Sequence, residues 1–445
     1  MSQAATPVDS HTLVAEVIDD GQVSRQQVLV IGLCMILNMF DGFDITAMAV
    51  VAGAVSAELA LRPDELGWIF SFALAGMMTG AMFLAPVADL IGRRALIIFS
   101  VILVGVTILL TARATSLPEF FILRFVAGIG AGAMMASQAT LAAEYSPEKY
   151  RALSVALVTS GYPTGAMLTS VVAGYVMPEY GWRGMFWFGG ALTLSMGFLA
   201  WLLMPESLKY LFERRPRNAL ARINRILHKL QKDQLAVMPE VTAAQSAARV
   251  GFVRTVFALL RPQHRRITLT LWVTFFLCFA TLYFLMSWTP KLMEDSGYDR
   301  HIGHKAFFMF NLGGVIGIYL LGILSTRFKL TNLVFAALFA SALGMVAFAA
   351  APPHLNLLLG IIFVVGILQQ GGFTGLYGIA AKAYPTEVRS TGIGWAIGLG
   401  RSGAIVGPAA AGYLIAAGLD MSANFYIFAL PMAVGGLIAF RLNMR

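Results

Sequence analysis

Of the 23 acidic residues in the chain, only Asp41 and Asp44 fall well inside long apolar stretches, and of its 32 Lys and Arg only Arg124 and Arg401 do. A charge at the centre of a bilayer costs roughly 2.5–3.5 kcal/mol on insertion scales, so such residues usually face a cavity or one another. Asp41 and Asp44 are one helical turn apart and share a face. Two neighbouring carboxylates in a poor dielectric resist double ionisation and titrate as a unit. That chemistry suits loading and releasing a proton. The alternative is helix packing around Gly42 with water access. Arg401, flanked by Gly400 and Gly403, suits bidentate binding of a carboxylate. Its alternative is pairing with helix-end carbonyls.

The elements that must position these four charges are membrane helices. The chain has 445 residues, 58% apolar and only 12% charged, against about 25% charged for a soluble domain. Too few charges remain to coat three soluble domains of roughly 150 residues each. Apolar spans run over about 28–55, 66–88, 95–112, 118–142, 153–177, 185–204, 268–290, 306–324, 332–351, 355–381, 391–416 and 423–440. Most exceed the roughly 18–20 residues needed to cross a bilayer. The expected fold is an all-α membrane protein of twelve transmembrane helices in two pseudo-symmetric six-helix halves.

With the N-terminus inside, 24 Lys and Arg lie on the inner side, 6 on the outer side and 2 within spans, and 13 of the inner ones fall between Lys209 and Arg266. This positive-inside bias accounts for the net charge of +9 without nucleic acid and puts both termini in the cytoplasm. Residues 1–27, carrying Asp9, Glu16, Asp19 and Asp20 without an apolar core, read as a cytoplasmic tail and not a signal peptide. Cys34 and Cys278 fall within spans without metal-ligand spacing, and the six histidines fall in tails or loops. No metal site is expected from either set.

A shift of 238 residues superposes the halves: Gly128 falls on Gly366, Pro147 on Pro385, Arg151 on Arg389, Gly165 on Gly403, Gly174 on Gly412 and Tyr175 on Tyr413. Parallel repeats of this kind typify transporters with a central site between the halves. The expected division is a tail to 27, one bundle over 28–204, a cytoplasmic linker with amphipathic helices over 205–267, a second bundle over 268–441 and a tail over 442–445. In the linker, Leu220, Ile223, Leu227 and Leu230 form a stripe beside Arg222, Arg225 and Lys229. That stripe fits a lipid-sensing surface helix or a linker helix packed under the bundle.

Depth sharpens the site. Asp41 lies roughly 21 Å along its helix from the inner end, and Arg124 roughly 10 Å down an oppositely directed helix. Arg124 is therefore within range of either aspartate, as a coupling residue or as a structural counter-ion. Arg401 sits roughly 15 Å into its helix, near the midplane. Its repeat position is Pro163, and no acid of the C-terminal half is deep enough to neutralise it. Asn38, Asn311, Gln369 and Gln370 supply polar groups near this level, and Phe40, Tyr283, Trp288, Tyr377 and Trp395 supply candidate aromatic walls. The loops add Asp89, Arg93 and Arg94 between spans two and three, then Glu144, Glu148 and Arg151 after span four, with Arg389 as the repeat-mate of Arg151. Such charges at facing helix ends form an inner gate, or else topology-setting charges with weak surface pairs.

Asp89, Gly92, Arg93 and Arg94, with Arg124 followed by Gly128, Gly130 and Gly132, resemble the loop and fourth-helix patterns of the major facilitator superfamily over residues 25–441. Asp41-Gly42-Phe43-Asp44, Glu144-Tyr145-Ser146-Pro147 and Gly400-Arg401-Ser402-Gly403 resemble its aromatic acid:proton symporter branch. Ala85, Leu90 and Ser325-Thr326-Arg327 depart from the loop pattern. The resemblance implies proton coupling by the first-helix aspartates, roles for Arg124, Glu144 and Arg401, and a switch role for Asp89.

The resulting expectation is an importer of a hydroxybenzoate-like carboxylate, driven by the proton gradient without a cofactor. Asp41 and Asp44 would carry the proton, and Arg401, Arg124, Asn38, Gln369, Gln370, Tyr283, Tyr377 and Trp395 would bind substrate. The expected partners are a small organic acid, protons and the bilayer, the expected working unit is a monomer, and the expected location is a bacterial inner membrane. The alternatives are symport of a sugar acid or sialic acid, and proton-driven export. Exporters often carry Gly-x-x-x-Gly-Pro in helix five; here the nearer match, Gly403 to Gly407-Pro408, lies in helix eleven and favours import. An enzyme would need a nucleophile, base or metal set, and a sensor would need a sizeable soluble domain.

Overall fold

A computed structural model describes residues 8–9, 18, 23–238, 241–242, 259–384 and 389–441, without the side chains of 8–9, 152, 241–242 and 389–391. Ser24 starts the first helix, α1 (Arg25–Leu59), through a capping box with Gln27. There follow α2 (Pro63–Thr79), which runs on through a π-turn and a 3₁₀ turn to Ile91, then α3 (Arg93–Thr111), α4 (Leu117–Glu144) and α5 (Glu148–Leu203). The linker holds α6 (Leu208–Arg214) and α7 (Ala219–Lys229). The second half comprises α8 (Pro262–Asp295), α9 (Arg300–Leu324), α10 (Leu330–Ala350), α11 (Leu355–Ala383), α12 (Arg389–Ala416) and α13 (Met421–Phe440). Val8–Asp9 pairs in parallel with Val241–Thr242.

Twelve spans result. Ten of the described helices are long and apolar enough to cross a membrane. One of them, α5, is 56 residues long and holds two spans, because Gly181 at φ 62° breaks it. The twelfth span is α12. Apolar side chains such as Phe83, Phe198 and Leu430 are exposed on the outer wall of the bundle, where a bilayer would cover them.

Small residues set the helix spacing, as in other membrane bundles. A Cβ on Gly165 would lie 1.7 Å from the Met39 carbonyl oxygen of α1, and one on its repeat-mate Gly403 would lie 2.0 Å from the Phe276 carbonyl oxygen of α8. Gly128 against Ala73 and Gly366 against Phe310 repeat the pattern for α2–α4 and α9–α11. The 238-residue repeat is thus also a repeat of backbone contacts.

The halves meet mainly at the face remote from the termini. There Trp68 Nε1 donates to the Tyr413 hydroxyl (3.0 Å), Ser71 donates to the Ile405 carbonyl (2.7 Å), and Phe70 lies edge-on to Trp288 at 5.5 Å. His304 Nε2 lies 3.2 Å from the Val50 carbonyl oxygen. His304 corrects the expectation of a loop residue: α9 begins at Arg300, several residues before its apolar stretch, because hydropathy marks lipid contact and not helix. In the linker, Ile223, Ile226, Leu227 and Leu230 are buried in one cluster with Leu33, Leu141, Tyr145 and Phe212. The amphipathic helix packs under the first half, which decides between its two readings.

Candidate functional site

The deep charges come together between the halves. Asp41 and Asp44 lie on the buried face of α1, where Gly42 packs so closely on α5 that a Cβ would sit 2.1 Å from the Tyr162 carbonyl oxygen. Asp41 is fully buried, and neither carboxylate oxygen has a hydrogen-bond partner among the described residues. Among the described residues it makes no ion pair; it is coupled electrostatically, at longer range, to Arg401 from α12 in the opposite half. Arg401 places its guanidinium 6.0 Å from the centre of the Phe279 ring and has Nη2 3.4 Å from Met135 Sδ. The acid coupled to Arg401 belongs to the other repeat, which is why its own half holds no counter-charge at that depth.

Asp44 and Arg124 lie together within the first half. Thr193 Oγ1 donates to Asp44 Oδ2 at 3.0 Å. Arg124 lies at the depth expected, but its Nη1 donates to the Asp44 backbone carbonyl (3.3 Å) and not to either carboxylate. Its guanidinium lies 5.1 Å from the centre of the Phe186 ring. Arg124 Nε and Nη2 are buried without a hydrogen-bond partner among the described residues. A narrow cleft opens beside it, bounded by Thr46, Phe70, Tyr162, Tyr283 and Ser287.

Aromatic rings wall the Arg401 side. On α8, Phe275, Phe279 and Tyr283 recur every four residues, and on α11 Phe373 and Tyr377 do the same. Phe279 meets Phe373 edge-on at 4.7 Å and stacks on Tyr283 at 6.1 Å; Phe275 meets Tyr377 at 5.3 Å. Phe275, Phe279, Phe373, Tyr162 and Thr193 escaped the sequence reading. The four-residue spacing of the rings was a usable signal for three of them.

Other expected site residues lie elsewhere or act differently. Asn38 donates to the Val158 carbonyl (2.6 Å) and so ties α1 to α5. Gln370 packs against Gly314, Gln369 is fully buried, and among the described residues neither the Gln369 amide nor Gln370 Nε2 has a hydrogen-bond partner. Trp395 meets Trp272 in a tilted arrangement at 6.3 Å, and its Cα is roughly 9 Å along α12 from that of Arg401. Trp288 donates to the Pro408 carbonyl and closes the remote face.

The loop charges assemble within the first half. Arg93 pairs with Glu144 (3.0 Å) and with Asp89 (3.4 Å), and Ser207 Oγ donates to Glu144 (2.6 Å). The Arg94 backbone N–H donates to Glu206 at the start of α3. Gly92 has φ 99°, a backbone conformation that favours glycine, and the Glu206 carboxylate packs against its open side. Arg151 is exposed, and the Arg389 side chain lies outside the described residues. The cluster thus joins α2, α3 and α4 to the linker.

The major facilitator superfamily model matches residues 34–308 and 271–445. The chain is 30% identical to the 4-hydroxybenzoate transporter PcaK of Pseudomonas putida, covering 98% of this chain and 96% of that one. It is 29% identical to the gallate transporter of Pseudomonas putida (97% and 95% covered) and 31% identical to the benzoate transport protein of Acinetobacter baylyi (97% and 93% covered). Among solved structures, the inward-open xylose transporter XylE of E. coli superposes with a TM-score of 0.72 over 94% of this chain and 96% of that one, at 15% identity. The chain is a multi-pass membrane transporter belonging to the major facilitator superfamily.

Proposed function

We propose that the protein imports a monocyclic aromatic carboxylate together with protons, by alternating access across a bacterial inner membrane with both termini in the cytoplasm. The observation that carries this reading is Arg401, a deep cation whose guanidinium lies 6.0 Å from the Phe279 ring centre and which is electrostatically coupled to Asp41 of the other half. A guanidinium beside ring faces suits a substrate that is an anion at one end and a ring at the other. The names of the relatives point to the same substrate class.

The coupling follows from charge conservation at a buried site. Without substrate, Asp41 is the counter-charge of Arg401. A substrate carboxylate that binds Arg401 takes over that role and leaves Asp41 as a second buried anion beside one cation. An uncompensated buried charge is expensive, so Asp41 takes up a proton. The loaded site then carries one anion and one proton together, and the halves can rock without moving a net charge. Asp44, held by Thr193 and lying near Arg124, biases how the pair shares protons. The proton gradient is the energy source, and the working unit is a monomer.

Uptake of labelled 4-hydroxybenzoate, gallate and gluconate into proteoliposomes under an imposed inward proton gradient tests the reading. Accumulation of the two aromatic acids alone is the expected result. Accumulation of gluconate alone would transfer the mechanism to a sugar acid. Gradient-driven efflux in place of uptake would reverse the direction.

A further inference from the structure

We propose that Thr193 is a positioning residue that holds Asp44 to its own half, so that Asp41 alone exchanges the transported proton; this rests on the proton-coupled reading above and sharpens it. Asp41 and Asp44 are one turn apart on α1, yet their surroundings differ. Asp41 is coupled electrostatically to Arg401 of the second half. Asp44 has its partners in the first half: Thr193 Oγ1 donates to its Oδ2 at 3.0 Å, and Arg124 Nη1 donates to its backbone carbonyl at 3.3 Å. The titratable and charged groups that act on Asp44 are Asp41 on its own helix and Arg124 on α4.

The second span of α5 is shaped for that carboxyl. Phe186, Gly189 and Thr193 recur at helical spacing on one face. The Phe186 ring centre lies 5.1 Å from the Arg124 guanidinium. Gly189 leaves room beside the acid, since a Cβ there would lie 2.9 Å from the Phe43 ring and 3.2 Å from Asp44 Oδ1. Thr193 is buried, and as a β-branched residue it is stiff at χ1, so its hydroxyl fixes where the carboxyl sits. When the halves rock, α1, α4 and α5 travel together. The contacts of Asp44 persist in both states, whereas the coupling of Asp41 to Arg401 crosses the seam and changes. Proton affinity follows surroundings, so the acid whose surroundings change is the one that loads and unloads. Without the Thr193 donor the Asp44 carboxyl is free to turn, and two buried carboxyls one turn apart titrate as a unit. Asp44 then enters the cycle as a second proton site.

The test counts protons through charge. One proton with one carboxylate anion moves no net charge, and two protons move one. Proteoliposomes of the whole protein, at equal pH inside and out, receive a potassium–valinomycin potential, negative inside, and the final accumulation of labelled 4-hydroxybenzoate is measured. That end point depends on the coupling ratio and not on how much protein is active, so a variant that is merely damaged does not move it. Wild type and Thr193→Ser, which keeps the hydroxyl, should not respond to the potential. Thr193→Val, which keeps the shape and loses the donor, should accumulate substrate, by up to about ten-fold per 60 mV. Thr193→Ala removes the same donor and takes its place if Thr193→Val does not assemble. Donor-less variants as insensitive as wild type, or a wild type that itself responds, would overturn the proposal. A wild type that accumulates substrate under neither the potential nor an inward proton gradient overturns the functional reading itself, a distinct result.

Discussion

Gly165→Ala is a one-carbon perturbation whose effect on both fold and site follows from the geometry. The added Cβ would lie 1.7 Å from the Met39 carbonyl oxygen and 2.9 Å from the Phe43 nitrogen, both backbone atoms of α1 that cannot swing aside. Non-bonded contacts are comfortable near 3.5 Å, so α1 and α5 would have to part by about 1.5–2 Å. Overpacking of this kind costs about 1–3 kcal/mol. Alanine returns about 1 kcal/mol through better helix propensity, which leaves a net loss of about 0–2 kcal/mol. The functional loss should be larger than the loss of stability. Met39 and Phe43 bracket Asp41 on α1, so parting the helices moves Asp41 relative to Arg401. A 1 Å misplacement of a working group can cost about 100-fold in rate. The assay is thermal unfolding in detergent, run beside gradient-driven uptake in proteoliposomes. A small fall in Tm with a fall in uptake of ten-fold or more is expected. Wild-type uptake at a normal Tm would show that the α1–α5 spacing does not set the site and would refute the reasoning.

Other perturbations separate the parts of the site. Gly174→Ala, with nothing within 4 Å of its new Cβ, should leave uptake unchanged and raise Tm slightly, as scanning fluorimetry would report. Arg401→Lys keeps the charge but loses the planar fork; KM for the carboxylate should rise about ten-fold with less change in kcat, read from initial uptake rates. Asp41→Asn should abolish accumulation against a gradient yet retain exchange of labelled for unlabelled substrate, because exchange needs no net proton movement. Glu144→Gln removes the partner of Arg93 at 3.0 Å, where both side chains are largely buried. It should lower stability by about 1–3 kcal/mol, less than a fully buried pair would lose, as measured by thermal unfolding.

The frame of the molecule is legible in the chain. Spans could be placed from hydropathy because lipid demands long apolar helices, and the repeat emerged because Gly165 and Gly403, or Gly128 and Gly366, perform the same close approach in each half. The depth of Arg124 followed from the rise per residue, and it does meet Asp44. What the helix arithmetic could not supply was the atom it meets, since a backbone carbonyl is invisible to a search for charged partners. The electrostatic coupling of Asp41 to Arg401 was hidden for a different reason. It joins residues 360 positions apart in opposite halves, and only the docking of the two repeats brings them together. Phe279 and Phe373 were masked by abundance, because 31 phenylalanines in a membrane protein make any one of them unremarked. His304 was misplaced because its helix extends beyond the apolar stretch.

The central claim is that an aromatic carboxylate and a proton cross together because the substrate displaces Asp41 from Arg401. The most direct measurement is proton influx, followed with a pH-sensitive dye sealed inside proteoliposomes, when 4-hydroxybenzoate is added outside to wild type and to Asp41→Asn. The account predicts acidification of the lumen by wild type, saturating with substrate, and silence from Asp41→Asn although that variant still exchanges labelled substrate. Equal acidification by both proteins would contradict the account, and so would substrate uptake by wild type with no proton movement.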